Sequence, residues 1–106
     1  MALTSEPAIG LAVMQVLANE PKGEATVRTL VKKVPNYVKL TNGDREPSPT
    51  RPGEEVWEQR VRNLKSHHEA EGNVIAEGFV EHIGWGRYRL TEAGHRHLVH
   101  KGLVQE

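Results

Sequence analysis

Side chains that can hydrogen-bond to DNA bases recur at helical spacing in the middle of the chain. The set comprises Gln59, Arg60, Arg62, Asn63, Lys65 and Ser66. Arginine can bond guanine through two atoms, and asparagine or glutamine can bond adenine in the same way. On a helix placed in the major groove, Gln59, Arg62 and Asn63 are the candidates for reading bases, with Arg60 and Lys65 at the flanks. An ordinary solvated helix face is the alternative interpretation.

The helix that must hold these side chains is predicted over residues 54–71. Its apolar residues fall on one stripe that is expected to face the core: Trp57, Val61, Leu64 and His68. Glu54 and Glu55 open the helix, where acidic side chains interact favourably with the helix dipole. Gly72 and Asn73 are expected to end it.

A glycine-bounded hairpin carries the second candidate set. Residues 79–83 and 87–90 are predicted as strands, joined by the turn Gly84-Trp85-Gly86. Because alternate strand residues share a face, Tyr88 and Leu90 are expected to point inward and Arg87 and Arg89 outward. The two arginines are thus placed to bind phosphates or to enter the minor groove.

Trp85 at the tip of this turn has two interpretations. It can stay exposed and stack on a base or contact a methyl group, since exposed tryptophans often serve contacts. It can instead fold back over the hairpin as a packing residue. The sequence leaves both open.

The remaining elements are shorter. Helices are predicted over residues 5–19, 27–34 and 92–101, with Thr4 or Ser5, Thr26 and Thr91 as N-caps, and a brief strand over residues 24–26. Residues 36–53 form a polar, proline-containing loop in which Arg51 is a further candidate phosphate contact. In the first helix, Leu11 and Met14 fall off the apolar face.

The order of helix, short strand, two helices, hairpin and final helix is typical of one fold. It predicts an α+β winged helix-turn-helix, with a three-helix core, a two-stranded wing and a C-terminal helix, in one domain over residues 1–106.

The segments from Trp57 to His67, Gly78 to Glu81 and Gly86 to Gly94 also resemble a known class. They are similar to the winged-helix modules of Mrr-type and methyladenine-dependent restriction endonucleases. The resemblance covers the C-terminal half and the order of helices in the first half. It implies a DNA-reading module, with the sensing of modified bases as one form that this function can take. Those enzymes carry a separate nuclease domain, for which this chain has no room.

The sequence lacks the residues that catalytic and metal-dependent functions need. There is no cysteine, and Asp44 is the single aspartate, so neither a thiol nucleophile nor a clustered carboxylate site is expected. His97 and His100 are three residues apart on a predicted helix, but further ligands are missing and surface histidines are the better interpretation. We therefore expect no enzyme, no cofactor and no metal site.

Charge and composition bear on the partner. Fourteen basic residues balance fourteen acidic ones, which disfavours a non-specific polycation, but several arginines lie between residues 45 and 89. We expect a cytoplasmic, nucleoid-associated reader of double-stranded DNA, acting as a regulator or as the targeting module of a nuclease, with no membrane contact. A protein-interaction module is the alternative, with a dimer or domain surface formed by Leu11, Met14, Val99, Leu103 and Val104.

Overall fold

The computed structural model of the chain describes residues 3–64 and 73–105. In these residues the chain forms four α-helices: α1 (Glu6–Ala18), α2 (Val27–Lys33), α3 (Val56–Arg62) and α4 (Glu92–His100). It also forms three strands: β1 (Glu24–Thr26), β2 (Val80–Gly84) and β3 (Arg87–Leu90). Single 3₁₀ turns span Pro21–Gly23 and Val34–Asn36. The predicted α+β class is confirmed.

The three strands form an antiparallel sheet in the order β1-β3-β2. Tyr88 at the centre of β3 pairs with Ala25 of β1 on one side and with His82 of β2 on the other. The predicted hairpin is therefore confirmed, and the short strand β1 joins it as the third strand. This pairing brings the end of β1, and with it the start of α2, beside the hairpin turn.

Three helices begin where the sequence predicts. The Ser5 hydroxyl accepts from the Ala8 amide at 3.2 Å, and the hydroxyls of Thr26 and Thr91 cap α2 and α4 in the same manner. Each hydroxyl satisfies an amide that has no partner within the helix. Helix α2 ends at Lys33, one residue before its predicted end, because the chain tightens there into a 3₁₀ turn.

Helix α1 lies at the centre of the core, and this corrects one expectation. The sequence pattern predicts Met14 off the apolar face, yet Met14 is only 1% exposed. Helix α1 packs against the other elements on more than one side, so a single apolar stripe does not describe it. Gly10 faces Val74, where a Cβ on Gly10 would lie 2.4 Å from the valine side chain. This glycine lets the segment after residue 73 approach the helix.

Within the described residues, helix α3 covers part of the predicted helix over residues 54–71, and residues 65–71 of that prediction lie outside the described ranges. Helix α3 starts at Val56, after Glu55 as N-cap, and ends at Arg62 with Asn63 as C-cap. The Leu64 carbonyl accepts from the Asn73 side-chain amide at 3.2 Å. The predicted apolar stripe is confirmed for Trp57, Val61 and Leu64, all buried, whereas His68 lies outside the described residues.

The long polar segment before α3 is anchored to the rest of the fold. The Asp44 carboxylate is fully buried and accepts from the Thr4 amide at 2.9 Å, from the Thr4 hydroxyl and from the Thr41 amide at 2.8 Å. Burial would raise the pKa of Asp44, but these hydrogen bonds from Thr4 and Thr41 together hold the pKa below its ordinary value. The segment is a mostly exposed loop, as predicted, and Asp44 ties it to the residues before α1.

Within the two described ranges, no helix combines the length and the apolar character needed to cross a membrane.

Candidate nucleic-acid interface

The tip of the β2–β3 hairpin holds the most exposed large hydrophobic side chain of the described residues. Trp85 is 102% exposed, so it does not fold back over the hairpin. Gly86 follows it with a positive φ of 62°, a conformation that favours glycine. Space around both flanking glycines is open, since a Cβ on Gly84 or Gly86 would meet nothing within 4 Å. The indole is therefore carried on a narrow protrusion.

Arg87 and Arg89 follow the tip and both point outward, as predicted, while Tyr88 between them is buried. Their environments differ. Arg89 forms ion pairs with Glu81 and Glu24 from the neighbouring strands, and its Nε donates to the Glu81 carboxylate at 2.7 Å. Arg87 has no carboxylate partner among the described residues. Of these two arginines, Arg87 is the one without a carboxylate partner in the part of the chain that the structure describes.

Helix α2 adds two cations that the sequence reasoning missed. The Val27 amide donates to the Gly86 carbonyl at 2.9 Å, which ties the first residue of α2 to the hairpin turn. Arg28 and Lys32 are exposed and lie one turn apart on the same face of α2. Neither has an ion-pair partner within the described part of the chain. Their spacing was visible in the sequence, but the position of the start of α2 beside the hairpin follows from the β1–β3 pairing. We call Arg28, Lys32, Trp85 and Arg87 the hairpin surface.

The α3 residues that the sequence predicts to read bases differ from the hairpin surface, because they form contacts within the protein. Gln59 lies against the preceding loop, where its carbonyl accepts from the Ser48 hydroxyl at 2.5 Å and its amide donates to the Thr50 hydroxyl at 2.7 Å. Both ends of the side chain are thus used within the protein. Arg51 of the same loop is exposed.

Arg60 is also used internally. It donates to the Thr4 carbonyl at 2.5 Å, pairs with Glu6 at 3.2 Å, and lies 3.8 Å from the Asp44 carboxylate. The guanidinium joins the start of α1 to α3. A duplex contact would have to break these bonds.

Arg62 pairs with Glu54 at 2.7 Å, and Asn63 is the C-cap of α3. Lys65 and Ser66 lie outside the described residues. The first turn of α3 and its flank carry Glu54, Glu55 and Glu58. Carboxylates there repel phosphates, so the start of α3 is poorly suited to enter a groove.

The histidines of α4 are distributed over different environments. The His97 ring stacks on Phe79 with 4.4 Å between the ring centroids, while His95 and His100 are exposed. In residues 3–64 and 73–105, no three metal-ligating side chains come together.

The hairpin surface thus combines a fully exposed aromatic ring with three cations that have no carboxylate partner among the described residues. It is assembled by the hydrogen bond between Val27 and Gly86. Comparison of the chain with protein families, with curated proteins and with solved structures finds no match.

Proposed function

We propose that this chain is a winged-helix domain that binds double-stranded DNA through the hairpin surface. The order of elements, with the strand order β1-β3-β2, supports this assignment of the fold. The observation that carries the function is the Val27–Gly86 hydrogen bond, which joins the residue before Arg28 to the residue between Trp85 and Arg87. An exposed ring and neighbouring cations are the groups that contact bases and phosphates.

The electrostatics favour the hairpin over α3 as the main contact. Arg60, Arg62 and Arg89 already have carboxylate partners, so their binding to phosphate would lose an existing interaction. Binding of phosphate by Arg28, Lys32 and Arg87 would break no ion pair among the described residues. The narrow hairpin tip, with an arginine next to it, also fits the minor groove, whose negative potential attracts arginine.

Because the sequence motifs predict a module like those of restriction endonucleases, base modification is the first property of the duplex to vary. A fully exposed indole can contact a methyl group and stack on the base that carries it. We propose that the domain targets DNA either as a small regulator or as one module of a longer nuclease, and that Trp85 is the residue that distinguishes modified from plain bases.

The test measures binding of a short labelled duplex by fluorescence anisotropy over a series of salt concentrations. Three phosphate contacts predict a slope of log K against log salt of about −3, and loss of one contact reduces the slope by about 1. Arg87→Ala and Arg28→Ala are expected to show this reduction. Arg96→Ala is the matched control. Arg96 is an exposed arginine on α4, and α4 follows the end of β3 that is opposite to the hairpin turn.

Two outcomes would contradict the proposal. Absence of duplex binding at low salt would remove the function. Equal losses in the Arg87, Arg28 and Arg96 variants would show that binding does not depend on the hairpin surface.

A further inference from the structure

An apolar groove lies between α1, the segment after residue 73 and α4. Its volume is about 430 Å³, which is larger than a tryptophan side chain. Its apolar lining is formed by Ala8, Leu11, Met14, Val74 and Phe79. The stacking of His97 on Phe79 holds one wall in place. Entry of an apolar side chain into such a groove is favourable, because it removes apolar surface from water.

Two charged residues line the same groove. Glu77 and Lys101 carry opposite charges, and neither has an ion-pair partner among the described residues. A fitting occupant would therefore bring an apolar ring together with a positive charge that can reach Glu77. An aromatic ring would suit Lys101 as well, because an ammonium group is attracted to the face of an indole.

The hairpin tip of the same chain has these features. Trp85 is a fully exposed aromatic side chain, and Arg87 next to it lacks a carboxylate partner among the described residues. The exposure of Trp85 also means that it does not enter the groove of its own molecule. We propose that the indole of Trp85 from one copy of the chain enters the α1–α4 groove of a second copy, with Arg87 against Glu77.

This self-association is weak and depends on concentration. The anchor is one side chain and one ion pair, which is less than the surface that stable interfaces bury. Because the contact covers Trp85 and Arg87, it competes with duplex binding. This competition, unlike the self-association, rests on the proposed function.

The first experiment is sedimentation velocity of the protein without DNA, at rising concentrations up to about 1 mM, where weak contacts become populated. The wild-type chain is expected to associate, whereas Trp85→Ala and Leu11→Arg each remain monomeric. A mixture of these two variants is expected to form pairs, because one retains the groove and the other the tryptophan. Leu3→Ala is the control, since Leu3 is an exposed apolar residue outside the groove.

The second experiment uses only exposed residues, so that folding is not at risk. Arg87→Glu and Glu77→Arg are each expected to weaken association several-fold, and mixing the two variants restores it. A wild-type chain that stays monomeric at the highest concentration overturns the proposal. So does unchanged association of Trp85→Ala, or a charge-exchanged mixture that associates no better than either variant alone.

Discussion

The amide of Val27 donates a hydrogen bond to the carbonyl of Gly86 across 2.9 Å, and so joins the start of α2 to the tip of the β2–β3 hairpin. Thr26 pairs with Arg87 one residue further along the strands. The relative position of Arg28 and Trp85 is thereby set by main-chain bonds rather than by flexible side chains. Such rigid placement is what a binding surface requires.

Gly86→Ala is expected to weaken both the fold and the proposed DNA contact. Gly86 has a φ of 62°, and an L side chain in this conformation costs roughly 1 kcal/mol. Urea unfolding and duplex anisotropy measure the two effects. Gly53→Ala is the matched control, because Gly53 also has a positive φ and open surroundings but lies in the loop before α3. It should lose similar stability without losing affinity; equal affinity loss in both variants would contradict the role of the hairpin turn.

Asp44→Asn is expected to destabilise the protein strongly. The buried carboxylate accepts from both amides of Thr4 and Thr41 and from the Thr4 hydroxyl, and Arg60 lies 3.8 Å away. An asparagine has only one acceptor oxygen, so one of these donors loses its partner. Loss of a buried hydrogen bond to a charged group costs about 2–3 kcal/mol. Chemical denaturation at pH 7 checks this; a loss below 0.5 kcal/mol, roughly the limit for an ordinary surface substitution, would contradict it.

The contribution of Asp44 also depends on pH. Its pKa in the folded protein lies below the ordinary value, so ionised Asp44 stabilises the fold above the unfolded-state pKa of about 4. This stability is lost as pH falls through the folded pKa. Denaturation of the wild type and of Asp44→Asn between pH 7 and pH 3 should show that their difference in stability shrinks in acid. A constant difference would mean that the charge of Asp44 is not responsible.

Gly94→Ala tests a close approach between α4 and the start of the hairpin. A Cβ on Gly94 would lie 2.2 Å from the Phe79 carbonyl oxygen and 2.7 Å from Leu90. The carbonyl cannot move aside freely, because it accepts from the Thr91 amide at 3.0 Å. We expect a loss of about 3 kcal/mol or more and a fall in Tm above roughly 10 °C. Gly84→Ala, which meets nothing within 4 Å, should leave Tm nearly unchanged.

Gln59→Ala separates a structural role from base reading. Gln59 bonds Ser48 and Thr50 of the loop, so its loss should lower the free energy of unfolding by about 1 kcal/mol. Sequence preference and affinity for duplex DNA should stay unchanged. Arg87→Ala is expected to show the opposite pattern, with lost affinity and retained stability. A relaxed preference at one base position in Gln59→Ala would return α3 to the role of recognition helix.

Trp85→Ala tests modified-base recognition. Duplexes of one sequence, with plain adenine, methylated adenine or modified cytosine, are compared for binding to the wild type and to the variant. We expect the wild type to prefer one modified duplex and the variant to bind all of them alike, because the indole provides the apolar contact. An unchanged ratio in the variant would show that Trp85 does not sense the modification.

Much of the local structure is determined by the sequence alone. Ser5, Thr26 and Thr91 begin their helices because each hydroxyl is followed by an apolar-periodic segment whose free amides it can satisfy. The alternation around Tyr88 sorts the hairpin residues correctly into inward and outward. These features depend on neighbours a few residues apart, which a sequence reveals directly.

Only the tertiary structure decided which polar groups remain available. Arg87 and Arg89 look equivalent in the sequence, yet β1 and β2 bring Glu24 and Glu81 to Arg89 alone. Arg60 is likewise engaged by Thr4 and Glu6, more than fifty residues away along the chain. Whether a charge is compensated depends on which distant segments pack beside it. That pairing is a property of the whole fold, and helical or strand periodicity carries no information about it.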